Sequence, residues 1–168
     1  VGIIGAGPAG LVLSKRLHLH GIENIVIENR SRDYVENRLR AGLLEHNTVE
    51  LLKEMGVGEN LKKNGIPHHG VKLSFNGERI HVPFEELTGG RSITIYGQRF
   101  VVRDLIKNLL DEEKRPLYFE AEATKIEGIE TKKPTIFYTK DGEEKEIALA
   151  DSRRLMGQTY ALLCELEI

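Results

Sequence analysis

Apolar and polar positions along this chain fall into two periods. A short apolar run over 1–4 predicts a buried strand, and Leu11, Leu13, Leu17 and Leu19 predict a helix from Pro8 to about His20, ended by Gly21. A second apolar run over 24–28 predicts the next strand. Leu44, Thr48, Leu51, Leu52 and Met55 carry helical spacing over 43–55, with Gly56 as its stop, and a short polar helix follows to about Asn64. Residues 71–75 and 79–82 alternate about Asn76-Gly77, a strong hairpin signal. A strand over 92–96 precedes a helix over 100–111 with Val101, Leu105, Ile106 and Leu109 on one side. A strand over 117–126 and a second hairpin, 135–139 with 145–149 about Asp141-Gly142, complete the pattern. In 150–168, Leu155, Leu162, Leu163 and Leu166 could line one more helix.

Strand, helix, strand, then hairpins and helices predict an α/β fold. The reading is a Rossmann-like βαβ unit with a parallel sheet and inserted antiparallel hairpins. Composition changes this picture little. With 40% hydrophobic and 30% charged residues and a net charge of −2, the chain reads as an ordinary globular protein with no call for a nucleic-acid or anionic-membrane partner. No apolar run reaches the roughly 18 residues of a membrane span. The single cysteine, Cys164, cannot form an internal disulfide and suits a reducing, cytoplasmic compartment. The chain starts without Met inside a strand, so a few preceding residues are expected.

Candidate chemistry concentrates at the start. The first strand runs into Gly5-Ala-Gly7-Pro-Ala9-Gly10 and then a helix, the strand–turn–helix context of the dinucleotide fingerprint. Gly5 permits the tight turn, Gly7 lets backbone approach a pyrophosphate, and Gly10 lets helix and strand pack closely. The pyrophosphate would rest on unpaired N–H groups at the positive helix end. Glu28 closes the second strand near the spacing expected for an acid that hydrogen-bonds an adenosine ribose. A carboxylate there disfavours a 2′-phosphate at this position. Arg38 and Arg40 are either phosphate ligands or a solvated basic loop; residue type alone leaves both open.

Together these stretches resemble the FAD-dependent aromatic-ring hydroxylases. The resemblance rests on Ile3–Gly10, Ile25–Glu28, Asp33-Tyr34-Val35 and the Arg38-Leu39-Arg40-Ala41-Gly42-Leu43-Leu44-Glu45 run. It continues in Gly70-Val71, Leu87–Gly90, Ile95-Tyr-Gly-Gln98 and Arg103-Asp104-Leu105, and covers 1–149. It implies FAD as cofactor, NADPH or NADH as co-substrate, and a small phenolic substrate of the 4-hydroxybenzoate type. It further implies hydroxylation of that substrate through a flavin hydroperoxide, and a homodimer. By position, Ala9 and Glu28 would touch the ADP moiety. Arg38, Leu39, Arg40, Ala41, Gly42 and Leu43 would wrap the diphosphate and flavin side, with Gln98 contacting the cofactor from a neighbouring strand end. The stretch 29–38, including Asp33 and Tyr34, matches the region tied to nicotinamide choice.

The family's later Asp-Gly and Gly-Asp motifs and its substrate-binding sheet have no counterpart here. Residues 1–149 therefore read as a partial FAD-binding domain and 150–168 as an atypical tail. No catalytic acid or base is identified, and the six histidines suggest no metal site. Two other readings stay open: a truncated dinucleotide-binding module without activity of its own, and an NAD-dependent oxidoreductase, since Glu28 suits NAD as well as FAD.

Overall fold

The computed structural model describes residues 1–149; the helix expected over 150–168 and Cys164 lie outside the described residues. In chain order, Gly2–Ile4 (β1), Pro8–Leu19 (α1), Ile25–Ile27 (β2) and Arg32–Asn37 (α2) come first. Leu43–Leu44 (β3), His46–Glu54 (α3), Glu59–Asn64 (α4), Ile66–His68 (β4), Gly70–Phe75 (β5) and Glu78–Pro83 (β6) follow. Next are Phe84–Thr88 (α5), Ile93–Ile95 (β7) and Gln98–Ile106 (α6), which runs on as a π-helical stretch over Lys107–Glu112. Leu117–Tyr118 (β8), Ala121–Glu127 (β9), Thr135–Lys140 (β10) and Glu143–Ala148 (β11) complete it.

Two compact units divide the chain. The first comprises Val1–Asn37 and the chain from Leu105 onward; the second is Arg38–Asp104. In the first unit, β1, β2 and β8 form a parallel sheet with β2 in the middle, Ile3 opposite Val26 and Val26 opposite Leu117. Both faces of β2 are covered, and Val26 and Ile27 are essentially inaccessible. β9, β10 and β11 form an antiparallel meander whose tight turn places Asp141 and Gly142 at φ 56° and 78°. Ile27, Ala121, Ile136 and Tyr138 form one buried cluster with Ile126 and Ile147 packed against it.

In the second unit, β7 lies between β3 and β4, antiparallel to both. Val49, Leu52 and Met55 of the α3 region are buried, as are Leu61, Val101 and Val102. β5 and β6 pair only with each other, with Leu73 opposite Ile80.

Several elements differ from the sequence reading. The expected helix over 43–55 is a two-residue strand, β3, followed by the shorter α3. The expected strand over 117–126 is broken between β8 and β9, because Glu120 turns through a positive φ of 55° and the chain moves from the parallel sheet to the meander. The stretch after Glu28 contains α2, stabilised by Arg32 Nε donating to Glu36 one turn on. The expected apolar stripe of α1 is also revised. Its buried residues are Leu11, Ser14 and Lys15, whereas Leu19 is half exposed.

Candidate cofactor site

β1 ends at Ile4 and the chain turns at Gly5, whose φ of 103° is open to glycine and strained for a side chain. Gly5 N–H donates to Ile27 O at 2.8 Å, tying the turn to β2. Gly10 packs so closely that a Cβ there would fall 2.1 Å from Gly5 O. A Cβ on Gly7 would meet nothing within 4 Å, so the space over that residue is open.

The start of α1 is rich in donors. Pro8 supplies no N–H, Leu11 N–H bonds Gly7 O, and Ala6 N–H bonds Glu28 Oε2. The amides of Gly7, Ala9 and Gly10 have no acceptor among the described residues. No acidic residue lies in the first turn and Gly7, the N-cap, offers no side chain. The positive end of a 12-residue helix thus faces outward with three unpaired N–H groups, a ready anion site. Glu28, at the end of the adjoining strand, is half buried.

The rest of this unit holds α1 in place. Arg115 is buried, and its Nη2 donates to Ser14 O, Ser14 Oγ and Asn24 Oδ1 at 2.9, 2.7 and 2.8 Å. Ser14 Oγ in turn donates to Asn24 Oδ1 at 2.6 Å, and Lys15 pairs with Glu113. Burial pulls the Arg115 guanidinium below its ordinary pKa. Burial opposes the Glu113 carboxylate, but the Lys15 hydrogen bond and charge hold it below the usual range. This lock joins the middle of α1, the entry to β2 and the entry to β8. Sequence reasoning missed it, although Ser14 and Lys15 stand three and four residues after Leu11, on its buried side.

In the second unit, the main chain brings Ala41, Gly42 and Gln98 together. Tyr96 N–H donates to Gly42 O at 2.7 Å and Gln98 N–H to Ala41 O at 3.3 Å. The approach needs a glycine at 42: a Cβ there would lie 2.7 Å from Gly97 Cα. Gln98, half buried, starts α6. Arg38, Leu39, Arg40 and Ala41 are exposed, and Leu43, in β3, is also exposed. The Tyr96 hydroxyl donates to Asp104 Oδ2 at 2.7 Å, and Asn60 Nδ2 donates to Asp104 Oδ1. Burial, then the Asp104 hydrogen bond, push the Tyr96 phenol above its ordinary pKa. Of the other arginines near the start, Arg32 forks onto Asp111 at 2.9 and 2.6 Å, and Arg30 lies over the Tyr34 ring.

A hollow of about 210 Å³ in this unit, lined partly by Glu45, His46, Phe84 and Arg91, holds none of the expected site residues and is below the size of most ligand pockets. Among the described residues no cluster of His, Cys, Asp and Glu could hold a metal, and no helix is long and apolar enough to cross a membrane.

The family described as FAD binding domain matches residues 1–149. The p-hydroxybenzoate hydroxylase of Acinetobacter baylyi is 48% identical over 107 residues, which are 64% of this chain and 26% of that protein. The 3-(3-hydroxy-phenyl)propionate/3-hydroxycinnamic acid hydroxylase 1 of Burkholderia vietnamiensis is 32% identical over 80 residues, 46% of this chain and 12% of the relative. The crystal structure of p-nitrophenol 4-monooxygenase from Pseudomonas putida superposes with a TM-score of 0.76 at 17% identity, over 88% of this chain and 38% of that one. At that identity the likeness speaks for the fold. The chain therefore spans about a quarter of the p-hydroxybenzoate hydroxylase it matches, and by its sequence and its fold it belongs to the FAD-binding domain family.

Proposed function

We propose that this chain is the FAD-binding part of an aromatic-ring monooxygenase. The observation that carries the reading is the start of α1: three unpaired amides, open space over Gly7, and Glu28 beside them at the end of β2. This donor set fits the ADP half of FAD, with Gly5 forming the turn, Gly7, Ala9 and Gly10 receiving the diphosphate, and Glu28 the ribose hydroxyls. The resemblance assigns Arg38, Leu39, Arg40, Ala41, Gly42, Leu43 and Gln98 to the same cofactor. Pairing of Gln98 with Ala41 supports that assignment for the loop it touches. FAD, when bound, supplies the redox chemistry, passing electrons from a nicotinamide nucleotide to oxygen. The chain's own part is to bind and orient it.

The 48% identical relative favours a small phenolic acid of the 4-hydroxybenzoate type as substrate of the whole enzyme. NADPH or NADH as co-substrate, homodimeric assembly and a cytoplasmic setting belong to the same reading and rest on the resemblance. The partial FAD-binding domain is assigned to 1–149, and the chain alone is expected to be inactive.

The visible spectrum of the purified protein tests this directly. Bound flavin absorbs near about 450 nm. A protein that takes up no FAD and binds NAD instead would overturn the reading in favour of a nicotinamide-dependent oxidoreductase. Oxygen uptake with NADPH and a panel of hydroxybenzoates checks the second part. We expect no substrate-dependent uptake from this chain, and robust hydroxylation would overturn the partial-domain assignment.

A further inference from the structure

Glu28 is held from four directions. Its carboxylate Oε2 accepts from Ala6 N–H at 2.7 Å and Oε1 from Arg30 N–H at 2.9 Å. Its own N–H donates to Tyr118 O at 2.8 Å, and its carbonyl accepts from Ala121 N–H at 2.9 Å. The last two bonds fix its backbone where β2 leaves the sheet. The first reaches 22 residues back into the glycine turn.

That reach matters because, between the Gly5 N–H bond to Ile27 O and the Leu11 N–H bond to Gly7 O, it is the one side-chain bond to the amides of the turn among the described residues. Gly5 and Gly7 flank Ala6, and neither has a side chain to anchor it. Ala6 is fully buried, so its N–H needs a protein acceptor. The carboxylate supplies one, and the acceptor is charged, which makes the bond stronger than a neutral one. Each carboxylate oxygen retains a lone pair, so accepting Ala6 N–H does not prevent the same group from accepting a ribose hydroxyl.

We propose that Glu28 is a positioning residue for the glycine turn, in addition to any contact with a nucleotide ribose. By taking Ala6 N–H toward β2 it joins Gly5 N–H, held by Ile27 O, in dividing the turn's amides into two used internally and three, Gly7, Ala9 and Gly10, left aligned for a diphosphate. The ligand half of this proposal rests on the flavin reading above; the bracing half does not. Glutamine weakens the brace, because it loses the charge and keeps an acceptor for only one of the two N–H donors. It has one oxygen, so its amide nitrogen would face a second N–H donor at either Ala6 or Arg30. Aspartate keeps the charge but falls roughly 1.5 Å short.

The test uses Glu28→Gln and Glu28→Asp in the full chain, with folding checked by circular dichroism. Exchange of the Ala6 amide is followed by NMR in the ligand-free protein. Affinity is measured for FAD and for an FAD analogue lacking the 2′ and 3′ hydroxyls of its adenosine ribose. Both variants are expected to exchange Ala6 about tenfold faster than the parent and to bind the analogue about tenfold more weakly, although it has no hydroxyl for Glu28 to hold. Unchanged Ala6 exchange, with variants and parent binding the analogue equally, overturns the brace and leaves Glu28 a ribose contact alone. If the parent binds neither FAD nor the analogue, the flavin reading fails and Ala6 exchange decides the brace by itself. Should the glutamine variant not fold, the aspartate variant decides: a protected Ala6 amide there overturns the proposal.

Discussion

The two units solve the problem of burying apolar surface differently. In the first, β2 is covered on both sides, the meander builds its own cluster around Ile136 and Tyr138, and even polar Ser14 and Arg115 are drawn inside and hydrogen-bonded to each other. In the second, helices and β7 enclose Leu52, Met55 and Leu61, but the β5–β6 hairpin keeps an apolar face largely exposed. Val71, Leu73 and Ile80 share one hairpin face and are 40%, 52% and 53% exposed; Phe75 on the same side is 70% exposed. The nucleotide-binding unit is thus organised around fixed backbone donors, which need rigidity. The other unit carries Arg38 to Ala41 on an exposed loop, joined to Gln98 by a main-chain bond. Rigidity is built where an unpaired amide must be aimed.

If this contrast is right, substitutions should act in graded fashion. The largest effect is expected for Gly10→Ala. A methyl 2.1 Å from Gly5 O must push α1 off β1, costing on the order of 3 kcal/mol and abolishing FAD uptake, as read by denaturant melts and flavin absorbance. Next comes Arg115→Met, which removes three hydrogen bonds made by one buried nitrogen. A loss of about 2–4 kcal/mol is expected, confined by hydrogen exchange to the first unit. Equal loosening of both units would break the comparison. In the second unit, Gly42→Ala meets Gly97 Cα at 2.7 Å and should cost about 1–2 kcal/mol, accompanied by faster exchange of the Tyr96 amide.

Acid should act on the first unit through Glu113. Its carboxyl is held below the ordinary value of 4.5, so the stabilisation is complete above that pH and fades as pH falls through the lower folded value. Glu113→Gln should flatten this acid limb in a stability–pH titration. The smallest effect is expected for Phe75→Ser. At 70% exposure it should shift stability by no more than about 0.5 kcal/mol. A large loss there would mean that the hairpin face is covered after all.

How much of this was legible beforehand depended on the range of the interactions. The β1–α1–β2 unit and both hairpins are local: alternation, helical spacing and the Asn76-Gly77 and Asp141-Gly142 turns announce them within a few residues. The break at Glu120 is not local. The strand-like run over 117–126 is continuous in hydropathy, and only the pull of two different partner strands, β2 and β10, divides it. Ser14 and Lys15 look like the solvent side of a helix until Arg115 and Glu113, about a hundred residues later, arrive to bond them. Gln98 is an unremarkable polar residue by itself, and the resemblance alone singled it out. Its N–H on Ala41 O became visible only with the strands in register. The second oxygen of Glu28 was equally hidden, because sequence spacing suggests a ligand and cannot reveal an internal donor.

The last strand has a consequence of its own. β11 is the outer member of the meander, with one backbone edge paired to β10 and, among the described residues, no strand on the other. Glu143, Glu144, Lys145 and Glu146 crowd that strand. An open edge is an invitation to any passing chain, and three glutamates in four residues withdraw it, since a second copy laid alongside would set like charges against each other.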